Sequence, residues 1–179
     1  VTGDCGSPVE ASVTVGEYAL PTCSITGSDA VCASSTGNTY SGPAGMASYA
    51  WSISGGTGTI AGATNTQSVS VTAGSGATFT LSLTISNGTC SNICGKTVTI
   101  NALPSATVNG HVDVACYGGT GSITISGSNG TAPYQFSLDN GETYTTGTNP
   151  NPYTFTGKPA GTYYPRVIDA NNCQSASCQ

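Results

Sequence analysis

The sequence predicts an all-β protein: two tandem β-sandwich domains with an extension strand at the N-terminus. Three observations carry this. Short runs alternate apolar and hydroxyl residues with a period of two. Gly-rich joints such as GGTG (55–58) and AGSG (73–76) separate the runs. No window shows helical periodicity. Short strands with turn signals at regular spacing are the pattern of a sandwich.

Each element follows from its own residues. In ATFTLSLTIS (77–86), Phe79, Leu81, Leu83 and Ile85 point to one face and Thr78, Thr80, Ser82 and Thr84 to the other. SYAWSIS puts Tyr49, Trp51 and Ile53 on one face, and QSVSVT offers Val69 and Val71. The single Trp fills the space between sheets. KTVTI after Cys94 closes the first domain. In the second half, GSITIS turns Ile123 and Ile125 inward, and PYQFSL does so with Tyr134, Phe136 and Leu138. Asp139-Asn140-Gly141 is a hairpin turn, because Asn and Gly tolerate positive φ. PYTF and GTYYPRVID follow, and Pro165, which cannot donate to a ladder, marks an edge strand or a bulge.

The halves repeat each other. ALPTCSITG (19–27) matches ALPSATVNG (102–110), and VCASSTG (31–37) matches ACYGGTG (115–121). The expected organisation is an N-terminal strand over 1–21, one sandwich over 22–103 and a second over 104–179. Pro104 stiffens the joint. SVTVGEYALPT (12–22) nearly repeats TVTINALPS (97–105), which closes the first domain. The second domain has no such phrase after Cys178. It is therefore expected to lack its last strand, and residues 9–16, with Val9, Ala11, Val13 and Val15 on one face, are expected to supply that strand to a neighbouring copy. The copy is either a consecutive repeat of one long chain or a separate subunit. An open sheet edge invites such pairing, and a head-to-tail contact builds a filament.

Composition excludes several classes. Lys and Arg total three and the net charge is −5, so no phosphate-binding cluster exists and nucleic acid is excluded as a partner. No apolar run is long enough to span a bilayer as a helix, so the chain is read as not membrane-inserted. It begins at Val1 without a signal-type stretch and reads as a mature or excised fragment. Eight cysteines in a nearly Lys-free chain point to an oxidising, extracellular compartment.

The cysteine pairings follow from the repeat. Cys32 aligns with Cys116 and Cys90 with Cys173, which favours Cys32–Cys90 and Cys116–Cys173 as equivalent bridges. Cys23 then pairs with Cys94. Cys5 and Cys178 remain, for a bond between consecutive copies. A local alternative pairs Cys90 with Cys94 and Cys23 with Cys32, and Cα separation decides, since a bridge needs about 4.4–6.8 Å.

Catalytic chemistry finds no anchor. His111 is the sole histidine, and although Asp113 is two residues away, no nucleophile stands in an elbow motif near them. The carboxylates are scattered singly. Asp139-Asn140-Gly141-Glu142 is explained by its turn without calcium. No enzyme, metal or cofactor is expected. Tyr117, Tyr144, Tyr153, Tyr163 and Tyr164 crowd the second domain. Of these, Tyr117, Tyr144, Tyr153 and Tyr164 are candidate contacts for a surface glycan, which makes a carbohydrate-binding module the alternative reading.

TCSITGSDAVC, the NTYSGPAGMASYAWSISGGTGTIAGATNTQSVSVTAG block and NGTCSNIC with KTVTI resemble the PKD-like modules of very large secreted surface proteins of Bacteroidota. DVACYGGTGSITIS, TAPYQFSLDNGETY and PAGTYYPRVIDANNC resemble the SprB-type repeat of gliding-motility adhesins exported by the type IX system. The resemblance covers 22–179. It implies Ig-like sandwiches in tandem arrays on the cell surface, with cell adhesion as the role and no catalytic residues to carry over.

Overall fold

The computed structural model describes Val13 and residues 15–176. Twelve strands and no helix occur among these residues. They form two sandwiches in series, as the alternation predicts.

In the first sandwich β1 (Ala30–Cys32), β7 (Ser91–Asn101), β6 (Thr78–Ser86) and β3 (Ser48–Gly56) form one sheet, in the order β1-β7-β6-β3. The other sheet holds β2 (Asn38–Ser41), β5 (Ser68–Ala73) and β4 (Gly58–Ala61), in the order β2-β5-β4. The period-two pattern decides which side chains meet. Phe79, Leu81, Leu83 and Ile85 of β6 are fully buried, against Val69 and Val71 of β5 and Val98 and Ile100 of β7. Trp51 lies in this core, and its indole nitrogen donates to the Thr66 carbonyl at 2.9 Å, so its one polar group is satisfied. β3 passes from one sheet towards the other through an irregularity between Ile53 and Gly55. Gly56, at φ 78°, completes the crossing, where a Cβ would stand 2.0 Å from the Thr78 carbonyl oxygen.

β1 and β7 pair in parallel, with Cys32 opposite Asn101. β7 therefore lies between β1 and β6 and closes the sandwich. Ala102-Leu103-Pro104 then joins β7 to β8 (Ser105–Val112).

The second sandwich is thinner. β11 (Tyr153–Lys158), β9 (Gly121–Ser128) and β8 form one sheet, and β10 (Gln135–Ser137) and β12 (Arg166–Ile168) the other. Ile125, Phe136, Leu138 and Val167 are its buried apolar core, with Tyr153 stacked on Phe136 at 5.6 Å. Asn140 and Gly141 both take positive φ, 63° and 87°, as their turn requires. Pro165 sits just before β12, which keeps its missing N–H out of the short ladder. After the turn that follows β12, Gln174 bridges Ile168 in antiparallel fashion, and Ser175 donates its N–H to the Val167 carbonyl at 2.8 Å.

The disulfides correct part of the expected map. Cys23 and Cys94 are bridged, as the repeat suggested, tying the first strand-like segment to β7. Cys32 is bridged to Cys173 instead of Cys90, with Cα atoms 5.5 Å apart, so the bond joins the two domains. Cys90 and Cys116 are unpaired thiols. The expected Cys32–Cys90 bridge fails on length. Cys90 precedes β7 and Cys32 lies beside its last residue, Asn101, so an extended strand of roughly 30 Å separates them. Cys116 and Cys173 are likewise at opposite ends of the second sandwich. Cys116 follows β8, while Cys173 binds Asp169, whose carboxylate lies near the Pro104 end where β8 begins.

Candidate functional site

No titratable constellation dominates the surface. His111 Nε2 and Asp113 Oδ1 are 3.5 Å apart with both side chains largely in solvent. No group of three or more His, Cys, Asp or Glu residues that could hold a metal occurs among the described residues. No helix among them is long and apolar enough to cross a membrane. The most perturbed acid is Asp139. A hydroxyl bond from Ser137 is the largest cause, followed by the hydroxyl and N–H of Thr143, and together they hold its carboxyl well below the usual carboxylate range. These bonds fasten the 137–143 turn.

The tyrosines suggested as a glycan platform are not brought together. Tyr153 is in the core against Phe136 and Phe155. Tyr144 is half-buried, takes a bond from the Gln174 amide, and has its phenol pushed up by burial. Tyr117 stands wholly in solvent and Tyr164 is half exposed, Tyr117 on the β8–β9 connection and Tyr164 just before β12. Tyr163, partly buried, packs against the second core.

The features with a bearing on function lie instead at the joint between the domains and just before the first sandwich. At the joint, three features coincide: the last residue of β7 (Asn101) faces Cys32, Ala-Leu-Pro follows, and Cys173 of the β12 turn bonds to Cys32. The front of the chain repeats two of them. Tyr18-Ala19-Leu20-Pro21 runs along the turn that carries Cys90. Asn87 Nδ2 donates to the Ala19 carbonyl at 3.1 Å, Asn92 Nδ2 to that of Pro21 at 2.9 Å, and Cys90 Sγ lies 3.7 Å from that of Tyr18. Among the described residues no counterpart of Cys32 lies in a strand alongside this segment. Val13 and Val15 are 85% and 88% exposed, whereas Val98 and Ile100, which hold the same places in VTV/VTI, are 0% and 6% exposed. Val9, Ala11, Cys5 and Cys178 lie outside the described residues.

Between the edge of β8 and the segment leading into β12 lies a groove of about 540 Å³. Val108, Val112, Val114, Ile123, Tyr163 and Pro165 give it an apolar wall. Above it, Asp113-Val114-Ala115-Cys116 repeats Asp29-Ala30-Val31-Cys32, the segment that becomes β1. β1 is a strand because β7 lies beside it; Val114–Cys116 belong to no ladder among the described residues. Sequence reading missed this groove, although the DAVC/DVAC likeness pointed to it.

Comparison with known proteins agrees with the architecture. Residues 19–102 match the family model of the PKD-like domain, and residues 111–143 match that of the SprB repeat. No curated protein matches the chain. The chain thus carries a PKD-like domain followed by a SprB repeat.

Proposed function

We propose that this chain is a non-catalytic structural unit of an extracellular surface adhesin, set head to tail with further copies of itself into a stalk or filament. In this reading residues 9–16 of one copy lie as the closing strand on the second sandwich of the next. The carrying observation is that the front of the chain reproduces the joint between its own two domains: an apolar closing phrase, Ala-Leu-Pro, and a turn bearing a cysteine. Support also comes from the family matches, since PKD-like domains and SprB repeats are structural modules of surface proteins, and from two disulfides, which suit an oxidising exterior. Adhesion and export through the type IX system belong to the same proposal.

Sedimentation of the full chain over a range of concentrations tests it. Open-ended association is expected, with a variant lacking residues 9–16 folded but monomeric. A wild-type chain that stays monomeric throughout, or a deletion variant that associates equally well, overturns the reading.

A further inference from the structure

We infer that Cys116 of one copy and Cys90 of a second copy form a disulfide that locks consecutive units, the intermolecular counterpart of Cys32–Cys173. The inference rests on the head-to-tail reading above and adds to it a covalent bond and an acceptor strand.

The argument is one of equivalence between a joint that is complete and two half-joints that are not. Cys32 ends the Asp-Ala-Val-Cys segment before the second strand of its domain, and Cys116 ends Asp-Val-Ala-Cys at the same place in the other. Cys173 lies in the turn after β12, and Cys90 in the turn after β6, its topological counterpart. Within one chain the first kind of cysteine, from the leading domain, is bonded to the second kind, from the following domain. Cys116 is then the first kind, unpaired within the chain, and Cys90 the second kind, likewise unpaired. These are the two free thiols among the described residues, and both are accessible: Cys116 is exposed and Cys90 partly so.

The strand geometry brings them together. At the complete joint, Thr99, Ile100 and Asn101 pair in parallel with Ala30, Val31 and Cys32. The same register set between copies places Val15 and Gly16 of the incoming chain beside Ala115 and Cys116. Cys90 already touches the carbonyl of Tyr18, two residues beyond Gly16. Val13 and Val15, left in solvent in the single chain, then enter the groove walled by Val108, Val112 and Tyr163, as Val98 and Ile100 enter the first core. The occupant of the groove is therefore a second copy.

Bond formation needs an oxidant. A low-molecular-weight disulfide supplies it by exchange: one thiolate attacks it, one small thiol leaves, and the second protein thiolate displaces the other small thiol from the mixed disulfide. Two protein thiols become one S–S bond, and the small disulfide is reduced to two thiols.

The test uses the full chain with oxidised glutathione, resolved on non-reducing gels and by peptide mapping. A ladder whose linking peptide joins Cys90 to Cys116 is expected. Cys90→Ser and Cys116→Ser should each fold normally, since neither residue is bridged within the protomer, and each should lose this linkage. Mixed together they should give a dimer that grows no further. Val15→Asp, at an exposed position, should suppress the linkage without lowering the stability of the single chain. Association without any Cys90–Cys116 peptide would overturn this inference and leave the proposed function standing. Absence of association altogether would overturn both. Linkage undiminished in Val15→Asp would overturn the strand register argued here.

Discussion

Cys32 and Cys173 are 141 residues apart in sequence, yet their Cα atoms are 5.5 Å apart, one in each domain. Two short sandwiches that meet only through Ala102-Leu103-Pro104 would otherwise be free to bend against each other. The bond fixes the first domain's β1 to the turn that follows β12 and adds a second covalent connection to the joint.

Replacing Cys32 or Cys173 by Ser should therefore loosen the joint as well as lower stability. A loss of about 2–4 kcal/mol is expected for a native bridge closing a long loop. Thermal unfolding measures that loss, and small-angle scattering should show a broader range of interdomain angles. Cys23→Ser should lower the stability of the first domain by a similar amount and leave the scattering profile unchanged, because Cys23–Cys94 lies within one sandwich.

The second core is small enough for one side chain to decide it. Phe136 is fully buried between Ile125, Leu138 and Val167 and carries the stacked Tyr153. Phe136→Ala should cost about 3–5 kcal/mol. Calorimetry should then resolve two transitions, with the first sandwich melting near its usual temperature. A single shared transition would show that the joint couples the domains more strongly than their separate cores imply.

Tyr40 offers a substitution of the opposite sign. Its side chain is wholly buried, and its hydroxyl has no hydrogen-bond partner among the described residues. Burial, and secondarily Asp29, raises its pKa, so it stays a neutral phenol. An unsatisfied buried hydroxyl costs about 1–3 kcal/mol. Tyr40→Phe keeps the ring's edge-on contact with Phe79 and should leave stability unchanged or raise it, which denaturant titration will show.

Asp139 should set how the 137–143 turn responds to acid. Its folded pKa is depressed, so its contribution is present above the unfolded carboxylate pKa of about 3.9 and is lost as pH falls through the lower folded value. The turn should hold through mildly acidic solution and loosen only in strong acid. Carboxyl-carbon NMR shifts should show Asp139 titrating below the other acids; a midpoint near the ordinary value would refute the bonding described for it. Asp139→Asn should remove that dependence.

Much of the fold could be read in the sequence because the period of two is a direct record of which side faces a core. Phe79, Leu81, Leu83 and Ile85 alternate without a break, and all are buried. Turn chemistry was equally local, as at Asn140-Gly141. The cysteine map was not local. Aligning Cys32 with Cys116 and Cys90 with Cys173 suggests equivalent bridges, but alignment carries no distance. Each bridge expected from it, Cys32–Cys90 and Cys116–Cys173, would span the length of a sandwich, and Cys32 is bonded to Cys173 across the joint instead. The groove at Val108–Val114 was hidden for a related reason: its walls come from β8, β9 and the segment before β12, residues distant in sequence that only the fold brings together.

The parallel pairing of β1 with β7 has a mechanical meaning for a unit set in series. These strands lie near the two points where pulling force would enter and leave the first sandwich. With the Cys23–Cys94 bond intact, tension passes through it straight into β7, and the stretch between its ends, β1 included, cannot pay out as slack. Once the disulfides are reduced, β1 and β7 are drawn past one another along their length, so the hydrogen bonds between Ala30–Cys32 and Thr99–Asn101 are loaded together and not peeled one by one.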